Sequence, residues 1–154
     1  MKNGRLGLLD FGFVVALDEE LWGLFERMDR AVTTGRAEDR LAAIKEWSWI
    51  TDDVADADRL RLTDEFMIWC WRSRYCGGEF DFGDEADFRR GVDLFTQMVG
   101  KRYSRARPCT PSISRQHFGA RSMLYRLRAK IDVRPTCEEE LKATGWDRSS
   151  YAGV

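Results

Sequence analysis

Ligands for a zinc site are scarce in this 154-residue sequence. His117 is the only histidine, and no C-x-x-C spacing occurs among the four cysteines, Cys70, Cys76, Cys109 and Cys137. Structural zinc sites are built from cysteine and histidine ligands at short, recurring spacings. The sequence therefore favours reduced thiols in a cytosolic protein over a zinc site. It leaves a disulfide between Cys70 and Cys76 open as an alternative.

Long apolar runs are also missing, and no stretch has the length that a bilayer-spanning helix needs. The amino terminus imitates a secretion signal, because Lys2 and Arg5 precede an apolar run. However, Asp10 interrupts that run, and three acids follow at residues 18–20, where small residues would mark a cleavage site. The sequence thus predicts a cytoplasmic chain without a signal peptide or transmembrane helix, with peripheral membrane contact as an open alternative.

The overall composition is that of an ordinary globular protein. Hydrophobic residues make up 44% and charged residues 33% of the chain, which distinguishes it from disordered sequences. A chain of this length is long enough to bury one hydrophobic core. The sequence contains neither an internal repeat nor a low-complexity segment. We therefore predict a single domain over residues 1–154.

Charge is distributed unevenly, although the net charge is only −1. Residues 1–99 carry 21 acids and 13 bases, whereas residues 100–135 carry 10 bases and one acid. The first interpretation is that this basic segment packs beside the acidic part of the same chain, and a solvated helix face is the second structural explanation. The alternative is contact with an anionic lipid surface, for which the candidate residues are Lys101, Arg102, Arg105 and Arg107. Aromatic residues lie among these bases, as in nucleic-acid binders, but without a recognised nucleic-acid module no such partner is predicted.

Apolar spacing predicts a mainly α-helical fold, with a short N-terminal β-hairpin followed by five or six helices. Asp18 is a candidate N-cap for the first helix, and Gly35 and the pair Gly77-Gly78 are candidate stops. Strands are expected only in about the first 17 residues. The predicted strands are Leu6–Leu9 and Phe13–Ala16, and the predicted helices cover about 18–35, 37–49, 56–75, 84–103, 114–131 and 138–144.

Four tryptophans occur as two alternating pairs, Trp47 with Trp49 and Trp69 with Trp71. Residues two apart on a helix point to different faces. Each pair is therefore expected to have one buried and one partly exposed member. Core packing is the preferred interpretation over an aromatic ligand cage.

The clearest functional motif is Asp10-Phe11-Gly12, which follows the apolar residues Leu8 and Leu9. A buried carboxylate needs a partner such as a hydrogen bond or a metal ion. An apolar strand that delivers Asp-Phe-Gly into a turn is the pattern with which phosphoryl-transfer enzymes hold Mg²⁺ on ATP. A second triplet at residues 81–83 lies in an acidic stretch without a preceding apolar strand, and we interpret it as a chance occurrence.

The stretch GRLGLLDFGFVVALDEELWGLFERMDRAV, which begins at Gly4, resembles the magnesium-binding strand and following helices of the UbiB/AarF family of atypical kinases. The later segment TPSISRQHFGARSMLYRLRAKIDV is similar to the C-terminal part of the same family. This resemblance implies a protein-kinase-like C-terminal lobe in which Asp10 binds the metal of Mg²⁺·ATP. It also implies a link to ubiquinone or other isoprenoid-lipid metabolism and an ATPase-like activity.

In that family the nucleotide loop, the phosphate-binding lysine, and the catalytic Asp and metal-binding Asn precede the triplet, whereas here nine residues precede Asp10. We therefore expect no catalytic residue within this chain, a requirement for a missing N-terminal kinase half, and no activity of the chain alone. The alternative function is a non-catalytic helical module that binds a protein partner or an anionic membrane surface.

Overall fold

A computed structural model describes residues 16, 18–48, 57–103, 107–143 and 145. The described part is mainly helical, as the sequence predicted. Its helices are α1 Glu19–Thr34, α2 Ala37–Trp47, α3 Ala57–Tyr75, α4 Glu85–Gly100, α5 Thr110–Arg126 and α6 Arg134–Ala143. Two short strands, β1 Phe80–Asp81 and β2 Lys130–Ile131, form an antiparallel pair.

Helix α1 begins and ends where its sequence signals place it. The Asp18 carboxylate accepts a hydrogen bond from the backbone N–H of Leu21 at 2.8 Å, which caps the helix. Gly35 follows the helix in the left-handed conformation, with φ of 75°, where a side chain would be strained. The apolar stripe buries Leu21, Leu24, Met28 and Val32.

Helix α3 is the centre of the fold, because it contacts α1, α2, α4 and α6. It therefore has buried residues on several faces rather than on one stripe. Trp69 and Trp71 are 2% and 7% exposed, so the expectation of one partly exposed member in this pair was wrong. The Trp69 ring contacts α4 and the Trp71 ring contacts α1, so both faces are covered by other helices. Trp47 is buried as well, and Trp49 lies outside the described residues.

The predicted boundaries of the last helices were less accurate. Helix α5 begins at Thr110 rather than at residue 114, because Pro111 fits the first turn of a helix. It ends at Arg126 rather than at residue 131, since Arg128 has a φ of 48° and the chain then enters β2. Helix α6 likewise begins earlier than predicted, at Arg134.

The prediction that strands are confined to the first 17 residues was wrong. In β1 and β2, Phe80 pairs with Ile131 and Asp81 pairs with Lys130, far from the amino terminus. Strands this short carry no recognisable alternation of apolar and polar residues. Of the predicted N-terminal strands only Ala16 is described, and it is not in a strand; the rest of that hairpin lies outside the described residues.

Candidate functional site

The predicted magnesium motif, Asp10-Phe11-Gly12, lies outside the described residues, as does Arg105. Within the described part of the chain, no group of three or more His, Cys, Asp or Glu side chains is placed to hold a metal ion. No helix in that part combines the length and apolar character needed to cross a membrane. The geometry available for a functional site therefore comes from the helical body.

The basic residues after position 100 meet acids of the preceding helices. Lys101 forms an ion pair with Asp58, which also accepts a hydrogen bond from the Tyr103 hydroxyl. Hydrogen bonds from Lys101 and Arg61 lower the pKa of Asp58 to about 2. Arg107 reaches back to α1 and contacts Glu20 at 2.7 Å. These contacts agree with the first interpretation, that the basic segment packs against the acidic part of the same chain.

Arg102 follows α4 with a φ of 58° and is exposed. Lys101 is half-exposed, whereas the Arg107 side chain is only 16% exposed. The described candidates for an anionic surface therefore differ in how much charge they present to solvent. Two of the three already have acidic partners within the chain.

A buried ion pair joins α4 and α5. The Arg121 guanidinium binds the Asp87 carboxylate, and both side chains are less than a tenth exposed. Arg72 of α3 contacts the other carboxylate oxygen at 3.2 Å. Burial lowers the pKa of Arg121 below its usual value, and Asp87 opposes that change. A buried pair of this kind is costly to desolvate and is retained only with good geometry.

Aromatic rings enclose the Arg121 guanidinium. Its central carbon lies 4.5 Å from the Trp69 ring and 5.0 Å from the rings of both Phe80 and Phe82. Cation–π contacts at these distances are favourable. The β1 segment therefore delivers two phenyl rings to the arginine, which gives the second Asp-Phe-Gly triplet a structural role. In that triplet the Asp81 carboxylate binds Lys130 at 3.0 Å and accepts a hydrogen bond from the Gly83 N–H at 2.9 Å.

A cavity of about 390 Å³ is lined by residues of α1, α2, α3 and α5, and we call it the α5 cavity. Its apolar wall includes Phe25, Trp47, Phe66, Met67, Trp71 and Ile113. Its polar wall includes Cys70, Arg74, Thr110, Ser114, Gln116 and His117. A few polar groups set in an apolar wall are typical of small-molecule sites.

The two groups of the α5 cavity with catalytic potential are held in their neutral forms. Desolvation lowers the pKa of His117 to about 4, with smaller contributions from the positive charges of Arg121 and Arg74. Burial raises the pKa of the Cys70 thiol to about 12. Cys70 and Cys76 are free thiols, so the alternative of a disulfide between them is not realised. A neutral imidazole and an un-ionised thiol suit ligand binding better than nucleophilic or acid–base catalysis.

The sequence predictions missed the α5 cavity, although one signal for it was present. Thr110, Ser114, His117 and Arg121 recur at spacings of three and four, which place them on one face of a helix. A helix face that is mostly polar but packs towards the protein interior indicates a binding site. The prediction began α5 at residue 114 and therefore omitted Thr110 from that face.

Comparisons with protein-family models, with curated proteins and with solved structures give no match for this chain.

Proposed function

We propose that this chain is the C-terminal helical part of a UbiB/AarF-like atypical kinase or ATPase, linked to ubiquinone or other isoprenoid-lipid metabolism. The observation that carries the proposal is the stretch from Gly4 to Leu17, in which an apolar run delivers Asp10-Phe11-Gly12 directly before the capped helix α1. The similarity of residues 108–133 to the end of the same family supports it independently. The mainly helical architecture after the motif is compatible with a kinase-like C-terminal lobe.

Under this proposal Asp10 contributes a carboxylate to Mg²⁺·ATP, because Mg²⁺ takes few protein oxygen ligands together with phosphate oxygens and water. Phe11 anchors the turn in the core, and Gly12 permits the sharp backbone path. Phosphoryl transfer depends on many positioned groups. We propose that a kinase-like N-terminal half supplies the phosphate-binding loop, the lysine and the second metal ligand.

The two Asp-Phe-Gly triplets provide a matched test of this proposal. The 154-residue chain is fused to the nucleotide-binding half of a UbiB/AarF-family kinase, and Mg²⁺·ATP binding is measured by calorimetry. We expect the fusion to bind nucleotide and Asp10→Asn to remove most of the affinity. Asp81→Asn is the control and leaves binding unchanged, because Asp81 is occupied by Lys130 and Gly83.

Two results would contradict the proposal. One is tight binding of Mg²⁺·ATP by the 154-residue chain alone, since the proposal requires groups from another half of the protein. The other is a fusion whose affinity is the same with Asp10 or with Asn at this position. Circular dichroism of each variant shows whether a loss of binding reflects a loss of helical structure.

The alternative function, a non-catalytic module for an anionic membrane surface, has weaker support. Lys101 and Arg107 are already paired with Asp58 and Glu20. Attraction to an anionic lipid would have to compete with these contacts, and it would be screened by salt.

A further inference from the structure

The α5 cavity has the dimensions of a ligand site. Its volume of about 390 Å³ lies within the range of roughly 300–1,000 Å³ that small-molecule pockets occupy. Cavities of about 150 Å³ with apolar walls already accept benzene. The aromatic wall, in which Phe25 and Trp47 meet edge to face with ring centroids 4.9 Å apart, suits a flat apolar body. A one-ring or two-ring molecule is therefore of the right size.

Polar side chains share the wall of the α5 cavity with the aromatic rings. Arg74, Ser114 and Gln116 all line it. The ligand should therefore have a polar head as well as an apolar body. Two further polar atoms, Nε2 of His117 and Oγ1 of Thr110, are buried behind this wall and have almost no accessible surface.

The charge of the cavity wall determines whether an anionic, neutral or cationic ligand group is favoured. Arg74 is the one charged side chain among the described residues that line the cavity, and no acid lines it there. The Arg74 guanidinium lies 5.4 Å from the Trp71 ring centre and forms no ion pair with a described acid. An anionic head is therefore favoured over a neutral or cationic one.

We propose that the α5 cavity binds a small aromatic monocarboxylate, with its ring against Trp47 and Trp71 and its carboxylate at Arg74. Planar carboxylates match the fork of an arginine guanidinium, which donates two parallel hydrogen bonds. This site is independent of the kinase-like assignment, because the described residues that line it belong to the helical body and not to the Asp10-Phe11-Gly12 motif.

The test uses the 154-residue chain and a matched pair of probes, 2-naphthoate and its neutral analogue 2-naphthamide. His117 is the only histidine, so its imidazole gives a single set of ring resonances in the NMR spectrum. We expect 2-naphthoate to shift these resonances in a saturable manner and to bind at least ~10-fold more tightly than 2-naphthamide, because the hydrogen bonds of a carboxylate with Arg74 are stronger than those of a neutral amide.

Three variants separate this site from non-specific binding. Arg74→Met should weaken 2-naphthoate binding ~10-fold and leave 2-naphthamide binding nearly unchanged. Ala120→Trp, at another cavity-lining position, should block both probes without a change in charge. Arg89→Met is the control, since Arg89 is an exposed residue of α4 that pairs with Glu85.

The proposal is overturned if the two probes bind equally well, or if Arg74→Met and Arg89→Met have the same effect. It is also overturned if 2-naphthoate leaves the His117 resonances unshifted. Nucleotide binding plays no part in these measurements, so their outcome is separate from that of the fusion experiment.

Discussion

The helix pair α1–α2 and the helix pair α4–α5 differ in what they bury. Helices α1 and α2 bury eight apolar residues and one acid, Asp29. Helices α4 and α5 bury only Leu94 as a large apolar residue, together with Gly91, Asp87 and Arg121. The first pair forms a conventional apolar core. The second combines close backbone approach with a buried ion pair, so its stability depends on a few specific contacts rather than on buried area alone.

Substitution of Arg121 should give the largest effect. Arg121→Met leaves the Asp87 carboxylate buried without its main partner, and we expect a loss of about 3–5 kcal/mol in the free energy of unfolding. Urea denaturation measures this loss. Arg89→Met, on the exposed face of α4, should change stability by less than about 0.5 kcal/mol.

A double variant then tests whether the buried charge is responsible. Adding Asp87→Leu to Arg121→Met should recover most of the loss, because an apolar pair avoids the cost of desolvating two charges. If the double variant is as unstable as the sum of the two single variants, the buried charge pair does not explain the difference between the two helix pairs.

The second-largest effect on stability is expected from protonation of His117, which lies on α5. The pKa is about 4 in the folded chain against an ordinary 6.5, so the unfolded chain binds more protons between these values. The contribution is fully present above pH 6.5 and is lost as the pH falls towards 4, by about 3 kcal/mol. His117→Phe should lack this component. Chemical denaturation of both proteins from pH 7.5 to 4 measures the difference, and parallel pH profiles would contradict it.

Alanine substitution of one glycine in α4 and one in α1 compares how tightly the two helices are packed. A Cβ added at Gly91 would lie 2.1 Å from the Trp69 ring, whereas at Gly23 of α1 it would meet only the flexible end of Arg27, at 3.2 Å. Gly91→Ala should therefore cost about 1–3 kcal/mol through overpacking. Gly23→Ala should be neutral or stabilise by up to about 1 kcal/mol, because alanine favours helix. Thermal unfolding of the two variants provides the measurement, and equal melting temperatures would refute the contrast.

Loss of a helix cap should give the smallest change in stability, and the change should be equal for α1 and α4. Asp18 caps α1, and Asp84 caps α4 by accepting hydrogen bonds from the backbone N–H groups of Ala86 and Asp87. Asp18→Ala and Asp84→Ala should each cost about 1 kcal/mol. Urea denaturation checks both values. A much larger loss at Asp84 would mean that the cap also holds the buried ion pair in place.

The same contrast explains what the sequence could predict. Helix α1 was predicted with its cap, stripe and stop because each is a local signal, carried by Asp18, by apolar residues at helical spacing and by Gly35. On α4 the apolar residues Val92 and Val99 are 39% and 49% exposed, while Asp87 and Gly91 are buried. Hydrophobic periodicity has no means of assigning an acid and a glycine to a core face.

The candidate site was harder still to predict. His117 and Arg121 are both polar, and their burial depends on Trp69 and Asp87, which are distant in the sequence. The β1–β2 pair joins residues about fifty positions apart through two residues in each strand. Only the tertiary fold brings these groups together, so a local reading of the sequence finds the residues but not the site.

The contact between Trp69 and Gly91 has a consequence for how relatives of this chain can diverge. The indole ring occupies the space that any side chain at 91 would need, and its Nε1 donates a hydrogen bond to the backbone oxygen of Asp87 at 2.9 Å. A larger residue at 91 can be accepted only after the residue at 69 has become smaller. Substitutions at these two positions should therefore occur in a fixed order, first at 69 and then at 91. An alignment of homologues should show the two positions varying together.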